Sequence, residues 1–532
     1  MSAKLTPLPY RKKLLKPFWS LKRKLFNEAY DMKTRLPAGV IGFAVLSFFA
    51  LSQPALAQKS YAETEKEKKP NIVIIMADDL GWRDVGFNGS EIKTPNLDRL
   101  AATGKRLTRF YAHPTCSPTR ASLLTGQSAL RLGVTRPYSK LNPNGLPLDR
   151  KLLPEFLKQH GYQTALAGKW HLGPRKKAHL PNARGFDSFY GHVTGGVGYW
   201  DHVHGGHYDW QRDGITARDK GYATHLLAAE AVRVVRNRDK KKPLFLYLAL
   251  GAPHLPNEAP AEALAQYAHI VSEKRRTHAA MVSEMDAAIG KLIDELDAEG
   301  IRDDTLIFFL SDNGGLTEHR LLPGFAFRLI NGLESIFGKP IPGRFLEFMR
   351  TNMYDGAADN GPLRGGKSSV LEGGIRVPAI INWPGKLTDT DYDGRLHVTD
   401  LLATLMDAAT GGAKTGQLTD GKSMWSALAE DREIAPSDFV TMGMDGKALF
   451  RGRWKLIERN NGALQLYDIK QDETESRDLA SERSDVVEKL HALLTSSPIG
   501  PSTSIPLWRV MLDPDEFGGA ERKAPMADLA LE

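Results

Sequence analysis

Five short apolar runs, each closing on a polar or glycine-rich turn, constrain this chain more than any other feature. They are NIVIIMADDLG (Asn71 to Gly81), TALAGKWHLG (Thr164 to Gly173), PLFLYLALGAPH (Pro243 to His254), DTLIFFLSDNGG (Asp304 to Gly315) and VPAIINWPG (Val377 to Gly385). Apolar runs of this length read as strands buried on both faces. Between them LLPEFLKQHG (Leu152 to Gly161) and HAAMVSEMDAAIGKLIDELDAEG (His278 to Gly300) carry helical spacing. This alternation predicts an α/β fold built on a large, mostly parallel central sheet flanked by helices. Ligands of such sheets collect beyond the carboxyl ends of the strands, so the polar residues that end each run are expected to converge.

Composition bounds the rest. With 532 residues, 42% hydrophobic and 25% charged, the chain has the apolar mass for a large core, and disorder or multiple membrane spans are excluded. Its net charge of +8 lies wholly within residues 1–57, where ten Lys or Arg residues face only Glu28 and Asp31. The balanced remainder offers no basic surface for nucleic acid. One cysteine cannot close an intramolecular disulfide.

The basic segment precedes an uncharged run from Leu36 to Gln58 that ends in Ala55-Leu56-Ala57, the layout of a secretory signal peptide. Met32-Lys33-Thr34-Arg35 opens a leader of ordinary length by itself, so residues 1–31 read as an N-terminal extension and the body as exported, periplasmic or secreted. An uncleaved membrane anchor is the second reading. Residues 58–70 read as a linker, 71–420 as the main domain and 421–532 as a smaller α+β domain with a tail. LFRGRWKLIE and LQLYDI look like paired strands there, and SDVVEKLHALL like an amphipathic helix. A Phe-, Leu- and Gly-rich insertion at 316–360 reads as a helical hairpin packed on the body, with a lid, partner face or membrane-touching flap as alternatives. Membrane contact is expected only through the leader or this insertion.

Two strand ends carry adjacent oxygen ligands, Asp78-Asp79 and Asp312-Asn313. Singly each pair suits a turn or helix cap; together they make an all-oxygen site for a hard divalent cation. The single Cys116 stands in HPTCSPTRASLLTG, at a turn leading into a helix with Arg120 one turn away. Such surroundings are expected to lower its pKa and to attract anions; a buried small hydrophobe is the bland alternative.

CSPTR followed by ASLLTG resembles the signature of the formylglycine-dependent (type I) sulfatase family, cysteine-x-proline-x-arginine, whose cysteine is oxidised to formylglycine (3-oxoalanine) by a maturation enzyme. ADDLG (Ala77 to Gly81), GKWHLG (Gly168 to Gly173), APH (Ala252 to His254), SDNGG (Ser311 to Gly315) and LRGGKSSVLEGGIRVP (Leu363 to Pro378) resemble further family blocks in family order. The resemblance runs from Asn71 to about Leu479 and implies an alkaline-phosphatase-like fold and calcium-dependent hydrolysis of sulfate monoesters. It implies that Asp78, Asp79, Asp312 and Asn313 bind one Ca²⁺ with an oxygen of the modified Cys116. Arg120 and Lys169 would then hold the hydrated aldehyde, one hydroxyl of which attacks sulfur. His171 would deprotonate the other hydroxyl to release sulfate, and His254 and Lys367 would clamp the sulfate, either able to protonate the leaving oxygen.

The stretches from Leu146 to Gly173 and from Leu180 to His202 are similar to the arylsulfatase B (N-acetylgalactosamine 4-sulfatase) branch, which points to a sulfated carbohydrate, with aryl sulfates as surrogates. Tyr199, Trp200, Asp201, His202, His204 and His207 suit a sugar ring and its hydroxyls, or a loop packed on itself, or an adventitious transition-metal site. Partners implied are the sulfated sugar or aryl sulfate and a formylglycine-generating enzyme. A phosphomonoester or phosphonate ester hydrolase and a non-catalytic sulfoglycan-binding protein are the rival readings.

Overall fold

Residues 68–318, 356–412, 419–430, 432–505 and 524–532 are described by a computed structural model. The leader and nearly all of the 316–360 insertion lie outside the described residues. No helix among the described residues is long and apolar enough to cross a membrane.

The central sheet has nine strands. In chain order they are β1 (Asn71–Ala77), β2 (Lys105–Arg106), β3 (Gln163–Lys169), β4 (Ser188–His192), β5 (Gln211–Arg212), β6 (Ile215–Thr216), β7 (Leu244–Ala249), β8 (Thr305–Ser311) and β9 (Ala379–Asn382). Across the sheet they run β2-β9-β8-β1-β7-β3-β4-β5-β6. The stretch β8-β1-β7-β3-β4 is parallel throughout. Antiparallel strands close both edges, so the run from Val377 enters the sheet in the opposite direction to the others.

β1 shows why the run had to be apolar on both sides. Its Ile72, Ile74 and Met76 enter one core with Leu123, Leu124, Trp170 and Phe308. Val73, Ile75 and Ala77 enter the other with Leu97, Met281, Ile289 and Leu292. Successive side chains of a strand point to opposite faces, and helices cover both. On the first face lie α1 (Cys116–Thr125) and α2 (Leu153–Gln159). On the second lie α3 (Ala223–Arg236) and the 26-residue α4 (Glu273–Ala298). Ser272 caps α4 by accepting a hydrogen bond from the Arg275 backbone N–H.

Near the C-terminus β10 (Phe439–Met442), β11 (Gly446–Arg451), β12 (Trp454–Arg459) and β13 (Leu464–Asp468) form an antiparallel sheet in sequence order. Leu449, Leu456 and Leu466 pack under Leu490 and Leu494 of α5 (Ser484–Ser496). The other face of this sheet, with Phe450, Ile457 and Tyr467, packs on Tyr111, Val370 and Ile375 of the main body.

Candidate active site

The parallel strands deliver their terminal residues to one place. Asp78 and Asp79 follow β1, Lys169 ends β3 with His171 two residues on, His254 follows β7, and Asp312 and Asn313 follow β8. Cys116 is the first residue of α1, and a segment from Gly361 to Arg376 brings in Lys367. Ligand atoms of Asp78, Asp79, Cys116 and His254 all lie within 4.8 Å of one another. All ten residues singled out for the site are therefore drawn together, from positions spread across nearly 290 residues of chain.

Three carboxylates meet three cations. Lys169 Nζ lies 2.5 Å from Asp78 Oδ2, Lys367 Nζ 2.7 Å from Asp79 Oδ2, and Arg120 Nη2 2.8 Å from Asp312 Oδ2. Each carboxylate has a different partner at Oδ1. Asp78 Oδ1 faces Cys116 Sγ at 3.5 Å, Asp79 Oδ1 accepts from Asn313 Nδ2 at 2.8 Å, and Asp312 Oδ1 accepts from the Asp79 backbone N–H at 3.3 Å. Burial and the nearby Asp78 push the Asp312 carboxyl up to about 6. Asp79 goes down despite burial, because Lys367 and His254 stand beside it.

Asn313 Oδ1 is buried and has no hydrogen-bond partner. Three carboxylates and an orphaned amide oxygen are donors a hard divalent cation takes, so Asp78, Asp79, Asp312 and Asn313 fit Ca²⁺, with Cys116 and His254 beside them. With three carboxylates already matched by three cations, a bound divalent ion leaves the site positive and suited to an anionic ester.

The thiol does not behave as the sequence suggests. Burial raises the Cys116 pKa, and Asp312 adds to the rise. Its helix N-terminus and Arg120 do not compensate, because the guanidinium is spent on Asp312 and on the Lys169 carbonyl. Burial thus favours the protonated form of the unmodified Cys116 thiol.

Both histidines are neutral and fixed in orientation. His171 Nε2–H donates to the Tyr138 carbonyl at 2.8 Å, so the buried Nδ1, without a partner, carries the free lone pair. Burial, with Lys169 and Arg120 nearby, holds its pKa well below the ordinary value. His254 Nδ1–H donates to the Leu255 carbonyl at 2.6 Å, and its Nε2 faces Asp79 Oδ2 at 3.7 Å. Burial and Lys367 hold its pKa down to about 3.

Of the aromatic and histidine cluster, most members pack inward. His202 stacks on Trp210 at 4.5 Å, His207 Nδ1 pairs with the Ala524 carbonyl, and the Tyr199 hydroxyl donates to the Gly251 and His254 carbonyls. Asp201 accepts from the Val203 N–H within its own turn. For His204, burial, Lys140 and His254 hold the pKa down to about 3. Trp200 is 52% exposed. No metal-holding group among the described residues includes these histidines, so the transition-metal alternative falls away.

Supporting residues escaped the sequence reading. The Ser117 hydroxyl donates to the His171 carbonyl at 2.8 Å and accepts the Tyr138 N–H, tying His171 to α1. Asn360 accepts the Gly315 N–H and donates to the Gly315 carbonyl, bracing the turn after Asn313. The position of Ser117 inside CSPTR was the one available signal.

The nine-stranded sheet, with a carboxylate cluster and a helix-borne cysteine beyond its carboxyl ends, defines an alkaline-phosphatase-like α/β protein. The sulfatase family model matches residues 70–412, and the chain belongs to the sulfatase family. It is 34% identical to arylsulfatase J of Mus musculus over 385 residues, 70% of this chain and 58% of that protein. The chain therefore spans somewhat more than half of that relative's length. It is 31% identical to N-acetylgalactosamine-6-sulfatase of Mus musculus over 410 residues, covering 73% of this chain and 71% of the relative. Among solved structures, Ps i-CgsB in complex with k-i-k-neocarrahexaose superposes with a TM-score of 0.71 at 30% identity, covering 84% of this chain and 98% of that one. Members of the family typically use formylglycine and a metal.

Proposed function

We propose that the chain is a calcium-dependent sulfatase that hydrolyses sulfate monoesters of a carbohydrate, using formylglycine made from Cys116 by a maturation enzyme. The observation that carries this reading is the seat of Cys116: first residue of a buried helix, and 3.5 Å from Asp78 in a cluster of carboxylates that fits a cation. Hydrated formylglycine supplies two hydroxyls on one carbon, one to attack sulfur and one whose deprotonation expels sulfate.

Each residue then has a task its geometry suits. Asp78, Asp79, Asp312 and the free Oδ1 of Asn313 hold Ca²⁺, which supplies Lewis acidity and positive charge. Lys169 and Arg120, paired with Asp78 and Asp312, supply positive charge near Cys116 that favours an ionised hydroxyl there. His171 Nδ1, unprotonated and unpartnered, accepts the proton of the remaining hydroxyl. Lys367 stays charged because Asp79, against the effect of burial, holds its pKa above the ordinary range. It binds a sulfate oxygen. An anionic ester beside His254 raises the proton affinity of its Nε2, so the imidazole gains a proton with substrate and passes it to the leaving oxygen.

The arylsulfatase B-like stretches and the carbohydrate bound by Ps i-CgsB support a sulfated sugar. His204 and the exposed Trp200 are the side chains we assign to its ring, the tryptophan through stacking. The leader-like N-terminus supports export to the periplasm or beyond. Comparing calcium-loaded enzyme on 4-nitrophenyl sulfate and 4-nitrophenyl phosphate tests the reaction class. A preference for sulfate is expected; a clear preference for phosphate would put the phosphoester reading in its place, and inertness on both the non-catalytic one.

A further inference from the structure

The two catalytic histidines follow neighbouring strands, β3 and β7, whose paired register ends at Gly168 and Ala249, before either ring is reached. What lies against both is the turn after β4. A Cβ on Gly195 would sit 2.9 Å from His171 Cε1 and 3.0 Å from its Nε2. A Cβ on Gly196 would sit 3.1 Å from His254 Nδ1 and 3.2 Å from its Cε1. Neither glycine has a left-handed backbone, so conformational freedom does not explain the residue type; the approach of the two rings does.

The turn is itself clamped. Asp209, fully buried, accepts the backbone N–H of Val193 and of Thr194 and the Thr194 hydroxyl, the last at 2.6 Å, along with a longer contact from Gln211. No cation is paired with this carboxylate in the described contacts; burial pushes its pKa up while those hydrogen bonds oppose the rise. A buried acid held by amides and a hydroxyl, with no cation beside it, is costly, and what its hydrogen bonds fix here is the backbone of Val193 and Thr194.

We propose that Gly195 and Gly196 form a wedge without side chains that sets the orientation of His171 and His254, and that Asp209 is the positioning residue that anchors it. This rests on the functional reading above, which gives the rings their tasks. A methyl group on Gly195 displaces the ring whose Nε2–H bond to Tyr138 leaves Nδ1 as the base. A methyl group on Gly196 shifts the ring that protonates the leaving oxygen.

The two glycines therefore fail in different steps, which a general loss of packing would not reproduce. The test is stopped-flow and steady-state kinetics of calcium-loaded Gly195→Ala, Gly196→Ala and Asp209→Asn, matched for formylglycine content by mass spectrometry. On 4-nitrophenyl sulfate, Gly195→Ala should keep a burst of about one equivalent of nitrophenol while steady-state kcat and KM both fall about tenfold and kcat/KM is nearly unchanged, because sulfate release is slowed. Gly196→Ala should lose more rate on an alkyl sulfate than on 4-nitrophenyl sulfate, whose leaving group needs no proton. Asp209→Asn should show both defects.

Wild-type kinetics in Gly195→Ala and Gly196→Ala, or equal losses on both esters with no burst, would overturn the wedge. Should Gly195→Ala fail to fold, Gly196→Ala and Asp209→Asn carry the same comparison. If the wild-type enzyme cleaves neither ester, the functional reading fails instead. The wedge is then judged by imidazole ¹⁵N NMR, where Gly195→Ala should shift the His171 signals and an unshifted spectrum would overturn it.

Discussion

Asn313 donates its side-chain N–H to Asp79 Oδ1 at 2.8 Å and leaves its own Oδ1 buried without a protein partner. The amide thus braces one carboxylate and offers its oxygen to the same space. A protein that binds a cation only when folded gains stability from it, about 2.7 kcal/mol at a hundredfold excess over Kd. Chelation with EGTA is expected to lower the melting temperature and abolish turnover, and Asn313→Ala to weaken calcium affinity. Melting curves superimposed with and without calcium would sink the cation site.

Lys169 is fully buried against Asp78 at 2.5 Å. In the calcium-free protein Lys169→Met leaves that buried carboxylate with only the Arg120 guanidinium, 4.0 Å away, and should destabilise it by about 3–5 kcal/mol. Lys169→Arg should not restore activity, because a planar guanidinium does not fit a slot built for a point charge. Urea denaturation of the two variants, with turnover measured alongside, checks both statements.

His113 lies away from the carboxylates, with Nδ1 against Thr441 Oγ1 at 2.9 Å and Nε2 against Ser122 Oγ at 3.0 Å. Burial lowers its pKa from the ordinary 6.5 to about 3. The unfolded chain therefore binds the extra proton first on acidification, so stability contributed by neutral His113 is full above pH 6.5 and is lost as pH falls toward 3. The slope from this group approaches about 1.4 kcal/mol per pH unit. In His113→Gln, stability is expected to depend less on pH between 6.5 and 4; a slope equal to wild type would contradict this.

Lys455, buried with Glu372 and Glu475 at 2.9 and 2.7 Å, links the C-terminal sheet to the segment that carries Lys367. The Glu372 N–H also donates to Glu475. Lys455→Met leaves two unpaired acids and should destabilise the protein by about 3–5 kcal/mol, while adding Glu372→Gln and Glu475→Gln should recover much of that. Chemical denaturation of the single and triple variants decides it.

Conversion of Cys116 to formylglycine lowers the mass of the tryptic peptide from Phe110 to Arg120 by about 18 Da. Protein from its native host is expected to carry this species. Cys116→Ala should fold with a melting temperature close to wild type and show no turnover. Native protein carrying only cysteine, or an active alanine variant, would remove the nucleophile.

The apolar runs ending in Asp78-Asp79, His254 and Asp312-Asn313 were legible because a parallel strand must be apolar on both faces and must stop where it meets its ligand. Both requirements are written locally, so the strands, their shared edge and the site residues at their ends could be read from the chain. The antiparallel entry of β9 was not legible, since strand direction depends on how the connection crosses the sheet.

By itself, the sequence determined the α/β layering, the block order that marks the family and the chemical types at the strand ends. Only the tertiary structure decided how those groups behave. Burial raises the Cys116 pKa where the local pattern pointed to a lowered one, and packing turned His202 and His207 away from the site. The glycine wedge and its Asp209 anchor were likewise invisible, because contact between Gly195 and His171 or Gly196 and His254 is a fact of three dimensions. Solvent exclusion and through-space charge set the protonation states, and neither is encoded by neighbours along the chain.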